Sequence, residues 1–267
     1  MERRIAYLGD SSLPGPASYL AGIMTHFGLP FVYVPSHEPP PETVFDEAVG
    51  LYVLSDYPAA RFAAGAMERL CRRVRDGAGL LMLGGWESYH GLGGDYDATL
   101  LADLLPVIMS NADDRRNCPQ LVLVRKCAEH PITAALPFDS PPSIGGYNEF
   151  RARPSGTVVL EGERYRVTLR GGQPHFAPEA RFPLLVVAER KRGACGAGRR
   201  ACLATDVAPH WVGGFVDWGE TRLTVRLNGP FDHAQGRPEG TRMGGDFVEV
   251  GAWYATFFRN LLVWCLG

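Results

Sequence analysis

Ile5 to Leu8 is a short, unbroken apolar run that stops at Gly9-Asp10. A continuous run of that length predicts a buried strand rather than a half-exposed one. After Pro14-Gly15-Pro16, the residues Leu20, Ile23, Met24 and Phe27 recur at helical spacing, and Gly28 is placed to end that helix. Phe31 to Val34 predicts a second strand, and Leu51 to Leu54 a third that ends in Ser55-Asp56. Phe62, Ala66, Leu70 and Val74 then fall four apart, on one face of a helix. Arg69, Arg72, Arg73 and Arg75 lie off that face and toward the C-terminus, where cations suit the helix dipole. Gly77 stops the helix, and Leu80 to Leu83 predicts a fourth strand running into Gly84-Gly85.

Strands and helices therefore alternate through this first part of the chain, and the strands are continuous apolar runs. That pattern belongs to a parallel sheet covered on both faces. With right-handed crossovers it gives a doubly wound, mostly parallel α/β fold. The second half is less regular. Leu100 to Leu105 predicts a short helix. Leu121 to Val124, Val158 to Leu160, Arg164 to Leu169, Leu184 to Ala188 and Ala201 to Ala204 predict strands, with Gly162-Glu163 turning a hairpin. Thr224 to Leu227 and Phe247 to Val250 predict a second hairpin, and Trp253 to Leu266 is apolar around most of its circumference, as a buried closing helix would be. Between the strands of the second hairpin, Gly229 to Gly245 is rich in glycine, proline and charge, which predicts a solvated insertion in a single domain spanning 1–267.

Composition narrows the class of partner more than the fold. The chain is 46% hydrophobic and 21% charged, an ordinary balance for a soluble globular protein. Its formal net charge of -2 gives no electrostatic reason to expect nucleic acid or a membrane surface. No run approaches about 18 apolar residues, so no transmembrane helix is expected. The opening MERRIAYLGD lacks the apolar run of a signal peptide, and a cytoplasmic location is expected. The six cysteines are scattered without a CxxC pair, which reads as free, mostly buried thiols rather than disulfides or zinc ligands.

In an open parallel sheet, ligands bind beyond the carboxyl ends of the strands. Those ends carry Gly9-Asp10, then Ser55-Asp56-Tyr57, then Gly84-Gly85-Trp86-Glu87-Ser88-Tyr89-His90, and finally Thr205-Asp206 with Pro209-His210-Trp211. Taken singly, Asp10 and Asp56 read as caps for the next helix. Together, the strand ends predict a site, with Asp10, Asp56, Gly85, Trp86, His90 and Trp211 as ligand-binding candidates. The sharpest feature is the strand that runs into Gly84-Gly85, where α/β enzymes place a nucleophile on a strained elbow. Ser88 is the one hydroxyl nucleophile in that turn, although its surroundings do not make GxSxG. His210 is the candidate base, four residues after Asp206, and a structural histidine beside Trp211 is the competing reading. The acidic and histidine side chains at these ends could offer metal ligands, but no HxH or HExxH spacing supports a metal, and no cofactor is implied.

These residues resemble the family of putative glutamine amidotransferases, a branch of the class I glutamine amidotransferase-like fold. The resemblance runs through Leu51 to Pro58, Gly79 to Ser88, Leu101 to Val107, His130-Pro131-Ile132, Pro183 to Val187, Thr205 to Trp211 and the closing aromatic helix. It implies a flavodoxin-like three-layer sandwich with added β-hairpins. Trehalose-utilisation proteins are similar in fold, which makes a carbohydrate ligand conceivable. Working members of the class carry Gly-x-Cys-x-Gly at the elbow; here Trp86 stands where that cysteine would be. They also carry a His-x-Glu pair after a late strand, whereas His210-Trp211-Val212 lacks the glutamate. The expectation is a protein that does not hydrolyse glutamine and binds a small polar molecule at the elbow. The alternatives are a hydrolase using His210 with Asp206 or Glu87, with or without a metal, and a non-catalytic interaction or homo-oligomerisation module.

Overall fold

The computed structural model describes residues 3–189, 198–227 and 247–267. In chain order the first half holds β1 (Arg4–Gly9), α1 (Ser18–His26), β2 (Phe31–Val34), β3 (Val49–Ser55), α2 (Ala66–Arg75) and β4 (Gly79–Leu83). Every residue of β3 and β4 is buried, which a strand achieves only inside a sheet covered on both faces. The expected helix through Phe62 begins instead at Ala66. Gly65 takes a left-handed φ of 78° and separates the two, and Phe62 packs edge-on against Tyr57.

The second half continues with β5 (Val107–Met109), β6 (Arg115–Lys126), β7 (Ser143–Asn148), β8 (Phe150–Ala152), β9 (Thr157–Arg170) and β10 (Gln173–Ala188). It closes with β11 (Arg200–Leu203), α3 (Pro209–Val212), β12 (Arg222–Arg226), β13 (Phe247–Gly251) and α4 (Ala252–Leu266). A nine-stranded sheet runs in the order β2-β1-β3-β4-β11-β10-β9-β6-β7. The neighbours from β2 to β11 are parallel. From β11 to β7 every pairing is antiparallel, so only β10 and β6 run against the other strands of this sheet.

Two expectations fail for local reasons. Leu100 to Leu105 forms turns rather than a helix. Its backbone bonds are mostly three-residue spans, and Pro106 follows directly, so a helix cannot propagate. Gly162-Glu163 is not a turn. Both lie in the middle of β9, paired with Phe182 and Arg181 of β10. The glycine is needed because a Cβ there would stand 2.4 Å from the Phe182 ring. The hairpin turns at Gly171-Gly172, which take left-handed φ values of 58° and 79°.

β12 and β13 form the expected second hairpin, paired from Arg222–Gly251 to Arg226–Phe247. The polar insertion predicted at 229–245 lies outside the described residues. Val225 of β12 presses on α1 so closely that a Cβ on Gly22 would stand 2.7 Å away. α4 is buried along Tyr254, Phe257, Phe258, Leu261, Leu262 and Trp264, and its Cys265 carbonyl meets β4 at Gly79. No helix among the described residues is long and apolar enough to cross a membrane. Of the described cysteines, Cys71, Cys202 and Cys265 are buried, Cys118 is half-buried and Cys127 is exposed; all are free.

Candidate functional site

Asp10 follows β1 and Asp56 follows β3, and both take left-handed backbone angles, φ 50° and 45°. Non-glycine residues rarely adopt them, though aspartate tolerates them better than most. The Asp10 carboxylate accepts a hydrogen bond from the Tyr7 hydroxyl at 2.9 Å, and its backbone carbonyl accepts one from Tyr33 at 3.0 Å. Asp56 reaches across to the loop after β4, where its Oδ1 accepts from the Glu87 N–H at 2.7 Å. Neither residue caps a helix, which corrects the capping reading. Asp206 comes nearer to that role: its Oδ1 accepts from the N–H groups of Val207 and Ala208, just before α3.

Asp10 and Asp206 are buried and Asp56 is half-buried, and their charges act on one another. Burial raises Asp10 to about 7, with the Asp56 charge adding to it. Burial and then Asp206 raise Asp56, and burial and then Asp10 raise Asp206. The protons of such a group belong to the set rather than to one residue. Among the described residues no grouping of three or more His, Cys, Asp or Glu side chains is arranged to hold a metal ion.

The glycine pair after β4 is required by close approach, not by left-handed angles. A Cβ on Gly84 would stand 2.0 Å from the Ala204 carbonyl oxygen, and one on Gly85 would stand 2.1 Å from Asp56 Oδ1. Gly85 is further fixed by Asn148, whose Oδ1 accepts its N–H at 2.8 Å while Nδ2 donates to its carbonyl at 3.1 Å. The same amide donates to the buried Asp114 at 2.8 Å, and Asp114 accepts the N–H groups of His90 and Gly91. Trp86 is not among the residues with positive φ, so the strained geometry expected of a nucleophile elbow is absent at that position.

The other candidates separate. Ser88 is buried, and its Oγ accepts the Asp56 N–H at 3.0 Å, which ties the loop to β3. His90 pairs through Nδ1 with Asp97 at 2.7 Å, and that hydrogen bond raises its pKa. Glu87 is half-buried. His210 is exposed, and among the described residues it forms no hydrogen bond or ion pair with Asp206 or Glu87. Trp86 and Trp211, by contrast, line one cavity of about 230 Å³ together with Asp113, Arg115 and Asn117. Trp86 is 47% exposed and carries the Arg115 guanidinium 4.5 Å from its ring centre. Asp113 holds that guanidinium through both carboxylate oxygens, at 2.9 and 2.8 Å. The Trp211 indole N–H donates to Asn117 Oδ1 at 2.9 Å. A larger cavity, about 500 Å³, opens between Arg3, Arg73, Asp76 and Arg199, at the amino ends of β3 and β4. Open parallel sheets bind ligands at the other edge, so the smaller cavity is the candidate site.

The sequence reading missed Asp113, Asp114, Arg115, Asn117 and Asn148. The first four sit in one polar run, Asp113 to Asn117, that leads from the loop after β5 into the start of β6, and that run was the available signal. Nothing in the sequence marks Asn148.

No curated protein matches this chain as a relative. Among solved structures, a cytoplasmic protein from Salmonella typhimurium is similar over 98% of both chains, with 22% identity and a TM-score of 0.67. A second Salmonella typhimurium cytoplasmic protein covers 79% of this chain and 91% of its own, with 26% identity and a TM-score of 0.62. The fold is that of the class I glutamine amidotransferase-like proteins. Residues 57–228 match the profile of the family described as "Putative glutamine amidotransferase", and the chain belongs to that family.

Proposed function

We propose that this chain does not hydrolyse glutamine and instead binds a small polar ligand, with a carbohydrate as the best-fitting class, in the cavity between Trp86 and Trp211. The carrying observation is an exposed indole, Trp86, in a cavity ringed by Arg115, Asn117 and Asp113, at the position where the family resemblance puts the nucleophile. Sugars combine apolar C–H faces with hydroxyl rims, and aromatic faces beside planar polar side chains suit both. About 230 Å³ is below the roughly 300 Å³ at which drug-sized pockets begin, so the ligand is small. The carboxyls of Asp10, Asp56 and Asp206 lie along the same edge of the sheet. The two similar Salmonella proteins are described as cytoplasmic, and we place this chain in the same compartment.

The hydrolase reading is weaker. His210 stands exposed, with neither Asp206 nor Glu87 to orient it, and a base needs an orienting partner. The proposal is tested by titrating the protein with a panel of monosaccharides, disaccharides and amino sugars by calorimetry. At least one should bind saturably, and Trp86→Ala should weaken it about tenfold or more. A panel without any binder, or binding that Trp86→Ala and Arg115→Ala leave unchanged, overturns it.

A further inference from the structure

Beyond their pairings with β6 and β11, β9 and β10 continue as a two-stranded ribbon to the Gly171-Gly172 turn. In this ribbon the pairs Tyr165–Pro178, Val167–Phe176 and Leu169–Pro174 face each other directly. Side chains two apart on a strand share a face, so these six form one apolar strip. Val167 is 45%, Leu169 75% and Phe176 52% exposed, and the strip stands outside the core. The opposite face is basic. Arg164 and Arg166 share Glu179 there, at 3.1 and 2.6 Å.

A two-stranded ribbon alone is marginal in water, and an apolar strip of this kind marks an interaction surface. We propose that the β9–β10 ribbon is a dimerisation arm, each ribbon laying its apolar strip on the body of a second copy of this chain.

Charge and area favour a second copy as the occupant. Across 165–178, two arginines and no acidic residue give the ribbon +2, so the remainder of the -2 chain carries -4. An arm of that sign is attracted to the body of its own kind. Half-exposed side chains of these sizes present on the order of 450 Å² on one face, near the largest patch a monomer displays. One ribbon-to-ribbon contact would bury about 900 Å², short of a stable interface, whereas two reciprocal arm-to-body contacts bury roughly 1,800 Å², the standard size. Docking runs through the face and not the β10 edge, because Pro174 and Pro178 remove the N–H groups that an added strand would need.

Sedimentation equilibrium at micromolar concentration tests the arm. The wild type should be a dimer, and Leu169→Lys/Phe176→Lys should weaken it about a hundredfold or more, to a monomer with an unchanged near-ultraviolet circular dichroism spectrum. If the double variant misfolds, Leu169→Lys alone, at a largely exposed position, should still weaken the dimer about tenfold or more. Arg166→Glu/Arg170→Glu should weaken it as well, and added salt should do the same to the wild type. A monomeric wild type, or a dimer untouched by the apolar variants, overturns the proposal.

Discussion

Asp10 and Asp56 leave neighbouring parallel strands in the same backbone state. Gly9 and Ser55 are register partners, and the aspartate after each turns into the left-handed region, at φ 50° and 45°. Residues held in sparsely populated backbone states gather where a structure serves a ligand or a reaction. The matched turns aim two carboxyls at one edge of the sheet, and Asp206 adds a third charge that acts on both.

The first prediction follows from those carboxyls. Burial and mutual repulsion raise their pKa values above the ordinary carboxylate range, Asp10 to about 7. Between the unfolded value near 4 and the raised folded values, the folded protein holds more protons than the unfolded chain, so stability falls as pH rises through that window. The thermal midpoint should be higher at about pH 5 than at about pH 8.5. His90, raised by Asp97, acts in the same direction, so the comparison that isolates the cluster is Asp56→Asn. That variant keeps an oxygen for the Glu87 N–H and removes the charge; its midpoint should vary less with pH. An unchanged or steeper dependence would count against the shared-proton account.

The second prediction concerns Gly85. An alanine Cβ would fall 2.1 Å from Asp56 Oδ1, an oxygen already engaged by the Glu87 N–H. The carboxyl cannot withdraw without losing that bond. Gly85→Ala should therefore destabilise the fold by about 2–4 kcal/mol in urea denaturation. A change within about 0.5 kcal/mol, the range of an ordinary surface substitution, would show that the elbow and Asp56 move apart freely.

A third concerns Asn148, which is fully buried and joins Gly85 to Asp114. Alanine at this position leaves the Gly85 N–H and the Asp114 carboxyl without their partner. The expected loss is about 2–3 kcal/mol, the cost of leaving buried polar groups unsatisfied. Asn148→Asp should do no better, since it sets a second carboxyl beside Asp114. Retention of wild-type stability in both variants would mean that water replaces the amide.

The parallel half of the fold was legible because its strands are short, wholly apolar runs, a pattern that only a doubly covered sheet explains. The ribbon was not. Gly162 looks like a turn residue in a sequence, and only the Phe182 ring packed over it reveals why glycine stands mid-strand. β7 was missed because Ser143 to Asn148 carries two glycines and little apolar signal; Gly146 is there to admit the Trp211 indole. Strand-end logic assigned Asp10, Asp56, Trp86 and Trp211 to the carboxyl edge of the sheet. It could not find Asn148, Arg115 or Asn117, which reach the same edge from the antiparallel half. It also suggested a His210–Asp206 dyad from a spacing of four, but α3 begins at Pro209 and leaves His210 facing solvent while Asp206 holds the backbone behind it.

The last prediction is that no glutaminase activity exists and that restoring the thiol alone does not create it. Glutamine hydrolysis requires a thiolate, a base beside it and donors for the oxyanion. Trp86 supplies an indole N–H, which is a donor and no nucleophile. The native thiols among the described residues do not substitute. Burial raises Cys71 and takes Cys118 to about 11, the buried Cys202 and Cys265 are raised further, and partial shielding of its thiol raises Cys127 to about 11 although the residue as a whole is exposed. Trp86→Cys would place a thiol at the elbow, but position 86 lacks the left-handed backbone of a nucleophile turn, and His210 is exposed and unoriented. The neighbouring Arg115 would favour its thiolate, but no oriented base stands beside it to complete the chemistry. Purified wild type and Trp86→Cys should both release no ammonia from glutamine above a buffer blank. Release by the wild type that alkylation abolishes would return the chain to the working amidotransferases, and release by Trp86→Cys alone would show that the rest of the machinery is in place.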